Sequence, residues 1–355
     1  MNRPKPKLSR IAETLGVSVA TVSNALSGKG RVSPELVERI RATAAELGYV
    51  PSVAGRALRT GRSGVLGLVL PNIANPLFPQ IAQAIEHAAA GAGYGVLIAN
   101  SRGEISTQTE AIGRLIERGV DGIVIVPRRG TRIVEAGCPI AVIDSPSTPG
   151  NTVSADHWEG GRRMGAHLRE LGHRNVLLIG NNTTSNVQSD RIGGLKAGLG
   201  PNAATETLWI ERLEAAGGAG CPLGLVEKVR GGVTAIATLS DLTALRALTE
   251  LQGAGISVPD TVSVTGFDDL IWSSVVTPRL TTMRMDMGSI AEIAVTALVD
   301  AIEGDRRGNG GEETSGPVSA PISKVPMELV IRQSTGVAGV GSLKAKNRTE
   351  GELAS

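Results

Sequence analysis

Aromatic side chains are scarce in this 355-residue chain, which has two Phe, two Tyr and three Trp. A core of stacked rings is therefore excluded, and the interior must be built from Ala, Val, Leu and Ile. Most of the rings, Tyr49, Phe78, Tyr94, Trp158, Trp209, Phe267 and Trp272, are expected to pack. Cysteine is as rare. Cys138 and Cys221 stand far apart with no CxxC spacing, which excludes a disulfide framework and leaves two plain thiols. No apolar run approaches the ~20 residues of a membrane span, and the basic N-terminus has no apolar stretch behind it. The expectation is a cytoplasmic protein that does not meet a membrane.

Signatures of catalysis are missing too. There is no Walker A sequence, no GxSxG elbow and no HExxH. The four histidines, His87, His157, His167 and His173, have no spacing that favours a metal. Gly91-Ala92-Gly93-Tyr94-Gly95 follows a helical stretch and precedes a strand, the reverse of the order that aims a helix N-terminus at a pyrophosphate. No catalytic residue, cofactor or metal is expected. The remaining classes are a DNA-binding regulator, a solute-binding protein or an α/β enzyme without a recognised motif.

Charge is present but unevenly placed. Up to Arg62 the chain carries 11 Lys or Arg against 4 Glu, a net +7, while the remainder carries 25 against 30, a net −5. The overall +2 hides a basic head on an acidic body, the pattern expected when only the head meets phosphate.

Within that head, residues 11–27 read as two short helices and a tight turn. Ile11 and Leu15 stand one helical turn apart, as do Val22 and Leu26, so each helix has a narrow apolar edge to bury against the other. Gly16 supplies the bend, and Ser18 sits where its oxygen can cap a second helix starting at Val19. That helix turns Ala20, Ser23, Asn24 and Ser27 outward, a small uncharged face that would let a backbone approach base edges in a major groove. Taken alone, the stretch fits a helix-turn-helix reader or an ordinary core hairpin. A third helix follows, with Ser33 as cap, Pro34 at its first position and Leu36, Val37, Ile40, Ala44 and Leu47 at helical spacing. A basic segment flanked by Pro and Gly, too short to fold alone, then leads to Gly64.

From Gly64 apolar runs alternate with helical stretches. Residues 65–70, 96–99, 122–126 and 140–143 read as buried parallel strands, and 176–179, 233–238 and 262–265 form a second set. Two doubly wound lobes in series place a crevice between the carboxyl ends of both sheets. Residues 304–317 read as a solvated loop. Residues 200–232 are Gly-rich and offer little helical pattern between Ile210 and Leu225.

Gly16-Val17-Ser18, Thr21-Val22-Ser23, Leu47-Gly48-Tyr49-Val50-Pro51, Ala57-Leu58, Asn75-Pro76-Leu77-Phe78, Leu171-Gly172-His173-Arg174, Gly266-Phe267-Asp268-Asp269 and Thr277-Pro278-Arg279-Leu280-Thr281-Thr282 occur in this order. Over residues 7–335 the chain thereby resembles the LacI/GalR family of bacterial transcription regulators. The resemblance implies an all-α helix-turn-helix head (1–50) and a hinge helix (51–63). It implies next an α/β two-lobed periplasmic-binding-protein-like body (64–336) with two doubly wound parallel sheets, then a disordered tail (337–355). Lobe 1 would comprise 64–157 and 284–304, and lobe 2 158–283 and 318–336.

By the same resemblance, Val19, Ala20 and Asn24 would face base edges, while Ser18, Thr21, Ser23 and Ser27 would bond phosphates. Gly55, Arg56 and Leu58 belong to the hinge, where Leu58 would wedge into the minor groove. Lys7 departs from the family's usual capping Thr, leaving that end frayed or Ser9 capping a later start. The effector crevice would draw on Asn72, Asn75, Leu77, Phe78, Asp144, Trp158, Arg191, Ser240, Asp241, Asp268 and Trp272, a set suited to a polyhydroxylated ring. The implied protein is a repressor, a homodimer or tetramer on a pseudo-palindromic operator. Its effector would be a sugar or sugar derivative, with a purine or other metabolite as the alternative.

Overall fold

The computed structural model describes residues 8–27, 31–49, 61–127, 137–306, 316–321 and 324–339. The chain divides into two compact units, Met1–Ser63 and Gly64–Ser355.

In the first unit, α1 (Leu8–Leu15), α2 (Val19–Ser27) and α3 (Pro34–Glu46) close around Ile11, Ala12, Val22, Ala25, Ile40 and Ala44. Gly16 between α1 and α2 has φ +65°, and Gly48 after α3 has φ +62°, conformations that a side chain would strain. Ser33 caps α3 by accepting from the Leu36 N–H at 3.4 Å, and Pro34 occupies the first turn, where a missing N–H costs nothing. Ser9 does not cap α1. It is that helix's second residue, because Leu8 already joins the apolar edge packed on the core.

The second unit has two sheets. One is ordered β11-β4-β3-β1-β2, built from β1 (Val65–Leu70), β2 (Gly95–Asn100), β3 (Gly122–Ile125), β4 (Pro139–Val142) and β11 (Gly316–Pro317). The other is ordered β7-β6-β8-β9, from β6 (Asn175–Gly180), β7 (Ala204–Trp209), β8 (Ala235–Thr238) and β9 (Ser263–Thr265). All pairings within both are parallel. Each sheet's first strand is internal, so the order reverses beside it and opens a crevice at the strands' carboxyl ends. Helices α4 (Leu77–Gly91) and α5 (Ile105–Glu117) flank the first sheet. Helices α6 (His157–Glu170), α7 (Asn186–Leu199), α8 (Ile210–Gly217), α9 (Leu225–Arg230) and α10 (Asp241–Gly253) accompany the second. Helix α11 (Met287–Arg306) returns to the first lobe, where Leu298 and Ile302 would meet any side chain placed on Gly122 of β3.

Two smaller strand pairs complete the unit. Strand β5 (Ser154–Ala155) pairs with β12 (Lys324–Val325), and β10 (Thr282–Met285) pairs antiparallel with β13 (Met327–Val330). Val318 and Val325, expected in the second lobe, bond and pack with first-lobe segments. Val318 N–H donates to Ile140 at 2.8 Å, Thr152 Oγ1 donates to the Val318 carbonyl at 2.6 Å, and Val325 is buried beside β5. Gly316 and Pro317, expected in a solvated loop, extend the first sheet because their backbone pairs with Pro139 and Ile140.

Residues 210–217 form α8, where little helical pattern was expected, and β7 leads directly into it. Strand β7 lies at the sheet's edge, so its residues alternate in exposure without a buried apolar run. Residues 337–339, assigned to the tail, are tied down through the Ala338 N–H, which donates to Leu171 at 2.8 Å. The rest of the tail, and the hinge helix apart from residues 61–63, lie outside the described residues.

Candidate functional site

The first unit presents one face with a distinct chemistry. Ser18 Oγ accepts from the Thr21 N–H at 3.0 Å and shares a 2.8 Å hydrogen bond with the Thr21 hydroxyl, fixing the start of α2. Val22 and Ala25 point into the core, which leaves Val19 (46% exposed), Ala20 and Asn24 on the opposite face. Thr21 and Ser23 lie half-buried between them. The result is a low ridge of two short apolar groups and one amide, with the free N–H groups of a helix start beside Ser18. Gly55, Arg56, Leu58 and the side chain of Ser27 lie outside the described residues.

In the second unit a cavity of about 340 Å³ opens between the lobes. Asn72, Asn75, Leu77, Phe78, Asp144, Arg191, Ser240 and Asp268 all line it. The first lobe supplies a largely apolar wall, including Leu77, Phe78, Ile81, Ile143 and Ile290, and the second a polar one with Asn181, Asn182, Gln188 and Thr243. The side-chain oxygens of Asn72 and Asn75 accept from the Ala74 and Leu77 N–H groups at 3.0 and 3.1 Å and shape the loop before α4. Ser240 caps α10 by accepting from the Thr243 N–H.

Arg191 lies at the base of the cavity and is buried. Its Nη1 donates to the Leu239 carbonyl at 2.6 Å, and its Nη2 stands 2.9 Å from Asp268 Oδ1. Nε reaches His157 Nδ1 at 3.4 Å, and the guanidinium lies 4.4 Å from the centre of the Phe267 ring. The cation is thus largely committed within the protein and is not the open fork that bidentate hydroxyl binding requires.

Asp268 complements it. Its φ of 108° is strained for a residue with a side chain, and Asp269 follows at 51°. Asp268 Oδ1 is buried against the Arg191 guanidinium, so that this ion pair forms part of the cavity lining. Burial pushes the Asp268 carboxyl up to about 6, against the pull of Arg191. Burial likewise lifts Asp144 to about 6, opposed by the Thr148 hydroxyl and reinforced by the charge of Asp190. His157 is held neutral, first by burial and then by the adjoining Arg191.

Three residues expected in the crevice lie elsewhere. Asp241 is fully buried and accepts from the Leu270 N–H, the Ser273 hydroxyl and the Thr282 hydroxyl at 2.6–2.7 Å, which anchors the loop after β9. Burial and the nearby Asp268 raise its carboxyl to about 7, against those three hydrogen bonds. Trp158, 44% exposed, lies over Gly193 on the outside of the α6–α7 pair. Trp272, 40% exposed, lines a shallow groove on α10 with Leu245 and Val276. In the other direction, sequence reasoning missed His157 and the Asn181, Asn182, Ser185 and Gln188 group. The run of polar residues directly after β6, at the carboxyl end of a central strand, was the available signal.

The position of Arg191 follows from how closely α6 and α7 approach. Gly161, Gly165, Gly194 and Gly198 line their contact. A methyl group on Gly161 would fall 2.3 Å from the Arg191 carbonyl oxygen, and one on Gly194 1.9 Å from that of Trp158. Only glycine permits this backbone-to-backbone seat.

Residues 7–52 match the description "Bacterial regulatory proteins, lacI family", and residues 166–335 match "Periplasmic binding protein-like domain". The chain is 31% identical over 353 residues to the HTH-type transcriptional regulator MalR of Streptomyces coelicolor, covering 94% of this chain and 97% of that protein. Among solved structures it resembles the Lac repressor dimer bound to operator and the anti-inducer ONPF, with TM-score 0.75, 26% identity and coverage of 94% and 100%. It also resembles the transcriptional regulator CelR in complex with cellobiose, with TM-score 0.63, 25% identity and coverage of 93% and 100%. A capped helix with a small outward face, two doubly wound lobes around one cavity and these matches lead to one conclusion: the chain belongs to the lacI family of bacterial DNA-binding transcriptional regulators.

Proposed function

We propose that this protein is a repressor that binds a pseudo-palindromic operator as a homodimer and is controlled by a saccharide held between its lobes. Val19, Ala20 and Asn24 meet base edges, Ser18, Thr21, Ser23 and Ser27 meet phosphates, and the hinge with Gly55, Arg56 and Leu58 enters the minor groove. The carrying observation for ligand control is the cavity itself. Asp268 and the amides of Asn72, Asn75, Asn181 and Asn182 line the same space opposite an apolar wall. Such a site takes a molecule with many hydroxyls and an apolar face. The cellobiose held by CelR is of that chemistry.

Exposed Leu242, Ile271, Trp272 and Val275 form an apolar surface suited to a second copy, and the Lac repressor likeness is to a dimer. The protein acts by binding rather than catalysis, in the cytoplasm with the chromosome. Ligand and operator each favour one closure state, so each alters the other's affinity by the same factor.

The test is a fluorescence-anisotropy titration on DNA from upstream of its own gene, at several salt concentrations, with and without a panel of mono- and disaccharides. Specific binding that weakens steeply with salt and shifts with one saccharide supports the proposal. Binding indifferent to salt refutes the phosphate contacts, and a shift with purines alone refutes the saccharide.

A further inference from the structure

The loop after β4 and the first two turns of α7 belong to different lobes, yet hydrogen bonds running in both directions join them. Ser145 Oγ donates to Asp190 Oδ2. In return Asn186 Nδ2 donates to Thr148 Oγ1 at 2.8 Å. Thr148 passes its own proton to Asp144 Oδ2, and the Asp144 N–H donates to Asn151 Oδ1 at 3.1 Å. Ser147 steadies the loop through its N–H, 3.3 Å from Ser145 Oγ, and through its hydroxyl. Each hydroxyl has one proton to give, and each is committed.

We propose that Ser145, Thr148, Asn186 and Asp190 form a latch across the lobes that sets how closed the cavity is before any ligand enters. Three features support it. Both ends are anchored: α7 is seated on α6 backbone to backbone, and residues 144–151 are pinned to β4 by Thr152, whose hydroxyl receives the Val142 N–H at 2.9 Å. The latch stands at the cavity, since Asp144 and Asn186 line it. The arrangement also sets two carboxylates, Asp144 and Asp190, against one another, which core packing alone would not select. The other ionisable groups close to Asp144 are His157, whose ring bonds the Asp144 carbonyl, and Arg191 behind it. Ser145 and Asp190 are thereby positioning residues that orient Asp144 and resist opening of the lobes.

Peptide-level hydrogen exchange on the full-length protein tests this directly, using Asp190→Ala, Ser145→Ala and the double variant. Each single change should speed exchange roughly three- to tenfold in both residues 143–151 and residues 184–191, as loss of one ordinary hydrogen bond does to an opening equilibrium. The double variant should be no faster than Ser145→Ala, which already removes the bond to Asp190 along with the two contacts to Ser147. Asp190→Asn keeps an accepting oxygen for Ser145 and should restore most of the protection, which a purely steric role would not give. Loosening confined to the mutated side, multiplicative effects in the double variant, or no change in either segment would overturn the latch. Should Asp190→Ala fail to fold, Ser145→Ala with Asp190→Asn makes the same distinction.

Discussion

Gly193 and Gly194 are adjacent on α7, and alanine at the two should have opposite effects. A methyl group on Gly193 would lie 3.5 Å from Trp158 Cδ1 and Nε1, ordinary van der Waals contact at the surface of the helix pair. Relief of glycine's backbone entropy then dominates, so Gly193→Ala should stabilise the body by up to about 1 kcal/mol. On Gly194 the same methyl would lie 1.9 Å from the Trp158 carbonyl oxygen and 2.8 Å from the Arg162 nitrogen. Both obstacles are backbone, so no rotamer change relieves them and the helices must part by more than an ångström. Overpacking of this kind costs about 1–3 kcal/mol and occasionally more. The separation also shifts Arg191, one helical turn away, out of line with Asp268 and Leu239. We expect the body's melting transition to fall by roughly 4–8 °C in Gly194→Ala, taking a cost of about 2 kcal/mol and about 2–4 °C per kcal/mol for a domain of this size. It should hold or rise in Gly193→Ala. Differential scanning calorimetry on both variants reads this out. A Gly194→Ala protein that melts at or above the wild type refutes the close helix seat and the placement of Arg191 that depends on it.

Three further predictions concern other parts of the molecule. Ser18→Ala removes the cap of α2 and should destabilise the first unit by about 1 kcal/mol, seen as early loss of helical circular dichroism, while Asn24→Ala should leave that melt unchanged and alter operator choice. Arg191→Met leaves the buried Asp268 charge without its partner and should cost about 3–5 kcal/mol, whereas Arg191→Met with Asp268→Leu should recover part of that loss in urea unfolding. Burial holds His173 and His167 below the ordinary histidine value. Their contribution to stability is therefore complete above about 6.5 and lost as the pH falls through the folded-state values. A plot of melting temperature against pH should be flatter on its acid side in His173→Gln, and an unaltered slope would count against the neutral histidine.

The elements most legible in the sequence are those fixed by local chemistry. Ser33-Pro34 announces α3, and the apolar runs at Val65, Gly122 and Val176 announce internal strands, because burial on both faces leaves no room for polar residues. Where a strand lies at an edge the signal fades, as in Ala204–Trp209, whose Thr and Glu residues mask it. The cavity was legible as a location and less so as a set of side chains. Asp241 and Asp268 look alike in the sequence as acids just beyond β8 and β9. Yet Asp241 begins a helix that turns its carboxylate into the protein, while the positive φ of Asp268 keeps it at the cavity. Trp158 and His157 are neighbours on α6, about 100° apart around the helix, so one faces out and the other in.

The sequence alone determined the basic head with its capped reading helix, the two alternating α/β lobes and the crevice between them, since period, caps and charge act over a few residues. Tertiary structure decided which side chains reach that crevice. It committed Arg191 to Asp268 and Leu239, turned Trp272 outward and brought Ser145 to Asp190 from the other lobe. Those outcomes depend on how closely two helices seat and on how the two lobes come together. Both are properties of packing between segments far apart in the chain, which no local pattern encodes.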